Sequence, residues 1–469
     1  MPHLLAPGAH IHFIGICGTA MANVAASLAG DGFNVTGSDS GAYPPMSTLL
    51  AERGIAVMEG YSAENIPEPP ALTIVGNAVS RGNPEVERVL DEGYPYTALA
   101  AFIGEHFLPG RTPVVVTGTH GKTTTTALTT WLLLEGGLNP SWLIGGVPVG
   151  LASGFQVNGG MPFVLEGDEY DTAFFDKRPK FIHYRPKVLI LNNLEYDHAD
   201  IYPDMGRLRE VFSHLIRLVP GNGLIIANAD DEEVMKLVKD AYTPVQRYSL
   251  MGADAEWQGE EANGRVRITG PGNFEVETEH SLIGRHQGWN LLAAIAAASA
   301  MGVDAKGIAE ATASFRGVRR RGELRGEARG IKVYDDFAHH PTAIKSTLEG
   351  FRDAFAGRRI IAVVEPRSNT MRRPVFHKPL AEAFDSADRL FIREVPNPQK
   401  CGAEGVLDVA ELAANVSARG TKATRHPDAG AILASLSGEL LEGDIVVILS
   451  NGGFEGIHER LLALLEEPV

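Results

Sequence analysis

Short apolar runs alternate with longer stretches of helical periodicity along the chain, and most runs end in a glycine-bearing or acidic turn. His10–Ile14 is the first run. Gly15-Ile-Cys-Gly-Thr-Ala-Met follows it and leads into a helix-like stretch to Ala29. Asn34–Thr36, closing on Gly37-Ser38-Asp39, and Thr73–Val75, closing on Gly76-Asn77, predict two further strands. Strands alternating with helices predict a parallel sheet wound on both faces. Pro109-Gly110-Arg111-Thr112-Pro113 interrupts the pattern and predicts a boundary.

A second series begins at Val114–Thr117 and continues through Phe163–Leu165, Val188–Leu191 and Leu224–Ile226. Ala253–Thr278 alternates like a β-rich excursion, and Gly284–Met301 reads as an alanine-rich helix. After the basic run Arg316–Arg325, a third series places strands at Ile331–Tyr334, Ile360–Val364, Arg389–Ile392 and Asp444–Leu449. The expected fold class is α/β. It comprises three consecutive α/β domains with mostly parallel sheets: Rossmann-like at the N-terminus, P-loop in the centre and Rossmann-like at the C-terminus.

Composition narrows the partners. The length of 469 residues suits three domains at roughly 150 residues each. A net charge of −16 argues against a nucleic-acid partner, which would need clustered Lys and Arg. Two cysteines, Cys17 and Cys401, exclude a disulfide framework and a cysteine-rich metal site. The apolar stretch Leu291–Val303 is shorter than the roughly 20 residues a membrane span needs, so no membrane insertion is expected. No basic leader pattern precedes the first strand, and a cytoplasmic location is expected. The 52 glycines and 28 prolines form no low-complexity runs, so the glycines are expected in turns.

The strongest chemical signal is Val114-Val-Val-Thr-Gly118-Thr119-His120-Gly121-Lys122-Thr123-Thr124. A strand, a glycine turn, Lys-Thr and a helix turn backbone N–H groups and the positive helix end toward a phosphate chain. Lys122 suits the β and γ phosphates and the Thr123 hydroxyl suits Mg²⁺. Val116 stands where the longer form of this loop has its first glycine, so a shorter Gly-x-x-Gly-Lys-Thr form remains. The competing reading is a plain strand-to-helix turn.

Glu166-Gly-Asp168-Glu169-Tyr170-Asp171 follows an apolar strand about 45 residues on and suits a Mg²⁺ site, or else a solvated acidic turn. Asn192-Asn193-Leu-Glu195-Tyr-Asp197-His198-Ala-Asp200 repeats the arrangement after the next strand. His198 there is a candidate metal ligand or a structural histidine.

Gly15-x-Cys17-Gly18-Thr19-Ala-Met resembles a dinucleotide turn with Cys17 at the second glycine, and Asp39 follows at ribose distance. A mere strand-to-helix turn is the alternative. Asp336-Phe-Ala-His339-His340-Pro341-Thr342 and Ser450-Asn451-Gly452-Gly453 end late strands, where crevices of parallel sheets open. Helix capping is the plain alternative for the two histidines. One arginine of Arg319-Arg320-Arg321 suits a γ-phosphate, or the run is a solvated hinge.

Gly118-Thr-His-Gly-Lys-Thr-Thr-Thr, Glu195-x-Asp197-His198-x-Asp200, Gly284-x-His286 with Asn290, and Asp336-x-x-His339-His340-Pro341-Thr342 stand in one order along the whole chain. In these marks the sequence resembles the Mur ligase family, the ATP-dependent amide-forming ligases of bacterial cell-wall synthesis. Gln287 replaces the usual Asn after His286, which retains an amide. No lysine lies between His198 and Ile216, so no carbamylated lysine is expected. Gly15-Ile-Cys-Gly-Thr-x-Met, Gly167-Asp-Glu-Tyr-Asp-x-Ala-Phe-Phe-Asp-Lys-Arg178, Phe337-Ala-His-His and Glu365-Pro-Arg-Ser-Asn-Thr-Met are similar to one muramate-using branch. That branch reattaches the recycled murein tripeptide L-Ala-γ-D-Glu-meso-diaminopimelate to UDP-N-acetylmuramate.

The resemblance implies ATP and Mg²⁺ as cofactors, with small-molecule substrates and a monomer or weak homo-oligomer. It implies a UDP-sugar domain at 1–110, with Gly15, Cys17, Gly18, Thr19, Ser38, Asp39 and Asn77 in the site. A central ATP domain at 111–318 would use Gly118, Thr119, His120, Gly121, Lys122, Thr123, Thr124, His286 and Asn290. A domain at 319–469 would add Arg321, Asp336 and His339 to ATP, and bind peptide through Arg367, Ser368, Asn369 and Asn451. Lys122, Glu166 and His198 are the implied catalytic set, and Thr123, Glu166 and His198 the implied metal set. The rivals are the alanine-adding ligase, another muramate-using member of the family, and, in another class, an NAD-dependent oxidoreductase. The latter leaves the Lys122 loop unused.

Overall fold

The computed structural model describes residues 5–42, 46–197, 201–262, 265–399 and 405–466. Five strands, β1 (His10–Ile14), β2 (Asn34–Asp39), β3 (Val57–Glu59), β4 (Leu72–Val75) and β5 (Tyr96–Ala98), form a parallel sheet ordered β3-β2-β1-β4-β5. Helices α1 (Thr19–Gly30), α2 (Met46–Glu52), α3 (Pro84–Asp91) and α4 (Leu99–His106) connect its strands or follow its last. The order reverses at β1, between β2 and β4, which opens the crevice where sheets of this class bind ligands.

The central sheet begins with β6 (Thr112–Thr117), followed by α5 (Lys122–Glu135). Next come β7 (Ser141–Leu143), β8 (Phe155–Gln156) and β9 (Pro162–Glu166). A two-stranded ribbon, β10 (Asp171–Ala173) and β11 (Asp176–Pro179), stands apart before β12 (Val188–Leu191). The series ends with β13 (Leu224–Asn228), β14 (Val245–Ser249), β15 (Trp257–Ala262), β16 (Arg265–Gly270) and β17 (Phe274–Glu279). The sheet order is β17-β16-β15-β14-β13-β12-β6-β9-β7-β8. Its core from β14 to β7 is parallel, while β16, β17 and β8 pair antiparallel. The alternating segment at Ala253–Thr278 is this antiparallel extension.

The third sheet contains β18 (Arg321–Ala328), β19 (Ile331–Asp336), β20 (Ile360–Val364), β21 (Arg389–Arg393), β22 (Lys422–His426) and β23 (Ile445–Leu449). Its order is β18-β19-β23-β20-β21-β22, parallel except for β18. Central strands are buried on both faces and must be apolar throughout. Val114–Val116, Leu189 and Ile190, and Ile445–Leu449 are accordingly fully buried.

The elements that patterning missed are edges and short pieces. The chain of β18 is Arg-Gly-Glu-Leu-Arg-Gly-Glu-Ala, so part of the basic run is a strand rather than a hinge. Lys422–His426 is likewise a polar edge. The interruption Pro109–Pro113 runs into the start of β6, where the Pro113 carbonyl accepts the Lys187 N–H at 2.9 Å.

The sheets are distributed over two compact units. One comprises 1–194, 206–280 and 290–315, the other 195–205, 281–289 and 316–469. Within the first unit the N-terminal sheet is tied to the β10–β11 ribbon. Phe174 packs on the core of Ile14, Val75, Val79, Val86 and Val89, and Tyr96 meets Phe175 edge to face at 5.0 Å. Among the described residues no helix is long and apolar enough to cross a membrane.

Candidate active site

The buried run Val114–Val116 delivers the chain to Gly118 at φ +136°, and Gly121, at φ +79°, caps α5. Both positions need glycine for space as well as backbone. A Cβ on Gly121 would overlap Asn290 Oδ1, and one on Gly118 would lie 3.0 Å from the Asn193 carbonyl oxygen. Asn193 brackets the loop: its Oδ1 accepts the His120 N–H at 2.7 Å, and its Nδ2 donates to the His120 carbonyl at 3.2 Å. Below, Asn192 Nδ2 donates to Thr125 Oγ1 at 2.8 Å, and Thr125 Oγ1 donates to Asn290 Oδ1 at 3.0 Å. Asn290 therefore lies under the Gly118–Thr124 loop as a buried support. The Asn192-Asn193 pair sits at the end of a strand one place over, and its use emerges only when β12 pairs with β6.

The Lys122 ammonium donates to the carbonyls of Gly118 at 2.7 Å and Thr119 at 3.2 Å, and to Glu169 Oε1 at 2.9 Å. Burial alone would lower its pKa, but Glu169, Asp168 and Glu166 outweigh that and hold it above the ordinary lysine value. Asp168 pairs with Lys180 at 2.5 Å. Burial pushes its carboxyl up, whereas Lys180 and Lys122 bring it below the usual range. Glu166 Oε1 accepts the Thr123 hydroxyl at 2.9 Å and Oε2 the Gly145 N–H at 2.8 Å. Gly167 makes the acidic turn possible, since a Cβ there would come within 2.5 Å of the Thr117 methyl. The acidic cluster is thus divided among separate partners. Lys180 and Gly145 are contributors that the sequence motifs do not mark, and the pairing of Glu169 with Lys122 is set by the fold. Thr124 is buried on α5, and His198 lies outside the described residues.

The Gly15 turn has φ +83°, and the N–H groups of Gly15 and Ile16 donate to the Ser38 carbonyl at 2.9 and 3.0 Å. Asp39 accepts the Cys17 N–H at 2.9 Å and the Gly41 N–H at 3.1 Å, so two backbone amides already use its carboxylate. Gly18 and Thr19 are exposed at the start of α1, and Asn77 is exposed after β4. These residues share the carboxyl ends of β1, β2 and β4.

The remaining candidates belong to the second unit. Asp336, buried at the end of β19, accepts the Gly322 and Ala338 N–H groups at 2.7 and 2.8 Å. Burial raises its carboxyl despite Arg321, whose guanidinium lies 4.7 Å from the centre of the Phe337 ring. His339 Nδ1 lies 2.9 Å from the Phe337 carbonyl. His340 is the residue that caps the following helix Pro341–Ala354, accepting the Thr342 N–H at 3.4 Å. Arg320, at φ +63°, turns inward to the carbonyls of Ser450 at 2.7 Å and Gly452 at 2.6 Å. Arg319 is exposed. Arg367 lies against Gly452, where a Cβ would overlap its guanidinium. Ser368 Oγ accepts the Met371 N–H at 3.1 Å, and Asn369 is exposed. Asn451 Oδ1 is buried with no hydrogen-bond partner among the described residues. His286 opens the helix His286–Ala300 with its Nε2 3.0 Å from the Gln287 amide.

Three family models match the chain in order. They are the Mur ligase family catalytic domain over residues 10–109, the Mur ligase middle domain over 116–298 and the Mur ligase glutamate ligase domain over 320–452. The chain is 42% identical to the UDP-N-acetylmuramate–L-alanyl-γ-D-glutamyl-meso-2,6-diaminoheptandioate ligase of Escherichia coli (strain K12), covering 96% of this chain and 97% of that one. It is 32% identical to the UDP-N-acetylmuramate–L-alanine ligase of Acetivibrio thermocellus, over 97% and 95% of the two chains. The crystal structure of a murein peptide ligase from Psychrobacter arcticus 273-4 matches with a TM-score of 0.75 and 38% identity, covering 98% of this chain and all of the other.

Proposed function

The chain belongs to the Mur ligase family, and from that premise we propose that it joins UDP-N-acetylmuramate to the murein tripeptide L-Ala-γ-D-Glu-meso-diaminopimelate with consumption of ATP. The observation that carries the choice of acceptor is the 42% identity to the tripeptide ligase along nearly the whole chain, against 32% to the alanine ligase. An ATP-dependent amide ligase in peptidoglycan recycling uses substrates found in the cytoplasm, where we place it.

The lactyl carboxylate attacks the γ-phosphorus of ATP; an acyl phosphate forms and ADP leaves. The free amine of the tripeptide then attacks the acyl carbonyl, phosphate departs and the amine proton is lost. Phosphoryl transfer of this kind needs positioning and charge neutralisation more than covalent help. We assign the phosphates to the Gly118–Thr124 loop. All three Lys122 donors are engaged, so the ammonium exchanges at least one of these bonds on reaching a phosphate.

Mg²⁺ would supply charge neutralisation on the phosphates, held by Thr123 and Glu166. The fit rests on donor chemistry: a hydroxyl and a carboxylate oxygen are hard donors of the kind Mg²⁺ takes. Thr123 Oγ1 and Glu166 Oε1 are 2.9 Å apart. We assign the UDP diphosphate to the Gly15–Thr19 turn, with Ser38, Asp39 and Asn77. The peptide carboxylates fall to Arg367, Ser368, Asn369 and Asn451. The domain limits that follow are 1–110, 111–318 and 319–469.

The test is ADP release by purified protein with ATP, Mg²⁺ and UDP-N-acetylmuramate, comparing tripeptide with L-alanine as acceptor. Release with tripeptide and little with L-alanine is expected. The reverse preference overturns the choice of acceptor, and no acceptor-dependent release overturns the ligase reading.

A further inference from the structure

One face of the N-terminal sheet carries a polar strip amid apolar neighbours. Strand alternation puts His10 and His12 of β1 on the same face as Thr36 and Ser38 of β2, because the register pairs His12 with Thr36 and Ile14 with Ser38. Glu85, the second residue of α3, reaches this strip. Glu85, His12 and Ser38 have no exposed surface. Glu85 Oε2 lies 3.2 Å from His12 Nε2 and accepts the Ser38 hydroxyl at 2.5 Å. Its Oε1 accepts the Asn65 amide at 2.6 Å and the Ser62 N–H at 3.3 Å. Four partners fill the roughly four lone-pair sites of an ionised carboxylate. His12 Nδ1 and His10 Nε2 each lie 2.8 Å from the Thr36 hydroxyl, which extends the strip. Burial pushes the Glu85 carboxyl up, but the bonds from His12, Ser38 and Asn65 bring it below the ordinary value.

A buried ionic cluster is a poor route to stability where well-packed apolar residues would serve. What this cluster does is join three segments at one end of the sheet. Ser38, whose hydroxyl Glu85 holds, accepts the Gly15 and Ile16 N–H groups on its carbonyl. Gly15 has no side chain to hold the turn itself. Asn65 also donates to the Gly60 carbonyl at 3.1 Å, and the Gly60 N–H donates to the Asp39 carbonyl at 2.8 Å.

We infer that Glu85 is a positioning residue for the nucleotide-sugar substrate: it clamps Ser38 and, through the Ser38 carbonyl, the Gly15–Gly18 turn that meets the diphosphate. This inference rests on assigning that turn to UDP-N-acetylmuramate.

Glu85→Gln keeps the volume but forces an amide N–H against one pair of donors. The variant is expected to raise KM for UDP-N-acetylmuramate, and Kd for UDP by calorimetry, about tenfold. KM for ATP should stay within about twofold and kcat should change little. Asn65→Ala, outside the assigned UDP site, removes one of the four partners and is expected to move the same constants in the same direction by less; it carries the test if Glu85→Gln does not fold. Gly15→Ala probes the turn directly. If Gly15→Ala weakens UDP while Glu85→Gln and Asn65→Ala do not, the clamp is overturned and the site assignment stands. If none of the three weakens UDP, the site assignment falls and the inference with it. Equal losses toward UDP-sugar and ATP, with a lower Tm, would make Glu85 a packing residue and overturn the inference.

Discussion

Lys122 and Glu169 form an ion pair at 2.8 Å, with side-chain exposures of 13% and 2%. Removing one partner from such a pair leaves an uncompensated buried charge, at a cost of about 3–5 kcal/mol. The lysine is therefore structural as well as catalytic in the proposed reaction, and the two roles separate by mutation. Lys122→Met is expected to abolish acceptor-dependent ADP release and to lower stability by about 3 kcal/mol in denaturant titration. Lys122→Met with Glu169→Gln is expected to recover most of that stability and none of the activity. Recovery of activity in the double variant would remove Lys122 from the phosphoryl-transfer step. At this scale the glycines were the most legible residues. Gly118 and Gly121 are required by backbone and space alike, and the motif spacing marks both. The partners of the acidic cluster were not legible. Glu166, Asp168 and Glu169 are similar carboxylates within four positions, yet they face Thr123, Lys180 and Lys122 respectively.

Among the elements, α3 has the most explicit start signal. Asn83 caps it through its side-chain oxygen, which accepts the Glu85 and Val86 N–H groups at 3.0 and 3.2 Å, and Pro84 follows at the first helical position. The cap also fixes where Glu85 enters the sheet. Asn83→Ala is expected to cost about 1 kcal/mol of stability by thermal unfolding. It is also expected to weaken UDP binding slightly, in the direction of Glu85→Gln; tighter UDP binding in this variant would separate the cap from the clamp. Buried parallel strands were readable because both faces demand apolar residues. The ribbon Asp171–Pro179 and the edge strands Arg321–Ala328 and Lys422–His426 were not, since their charges lie on solvent-facing or cross-strand positions that resemble loop composition.

For the whole molecule, each unit has its own core. The first contains Ile14, Val75 and Val86, and the second the two faces of the third sheet around Ile360, Leu390 and Val447 on one side and Val363, Phe391 and Ile448 on the other. Separate cores predict two transitions in calorimetry. A non-hydrolysable ATP analogue with Mg²⁺, at 100 times its Kd, is expected to stabilise the unit containing Lys122 by about 2.7 kcal/mol, and the shift should vanish in Lys122→Met. Stabilisation that survives that substitution would place the nucleotide elsewhere.

The amino-acid order by itself determined the three series of parallel strands and the turns where glycine must stand. A strand covered on both faces admits only apolar residues, and a turn at positive φ excludes most side chains. Only the tertiary structure decided that the N-terminal sheet and the central sheet share one unit, that Asn192, Asn193 and Asn290 brace the Gly118–Thr124 loop, and that Glu85 is linked to the Gly15 turn through Ser38. Those relations join residues tens to more than a hundred positions apart. Hydrogen bonding depends on tenths of an ångström and on direction, which residue spacing does not encode.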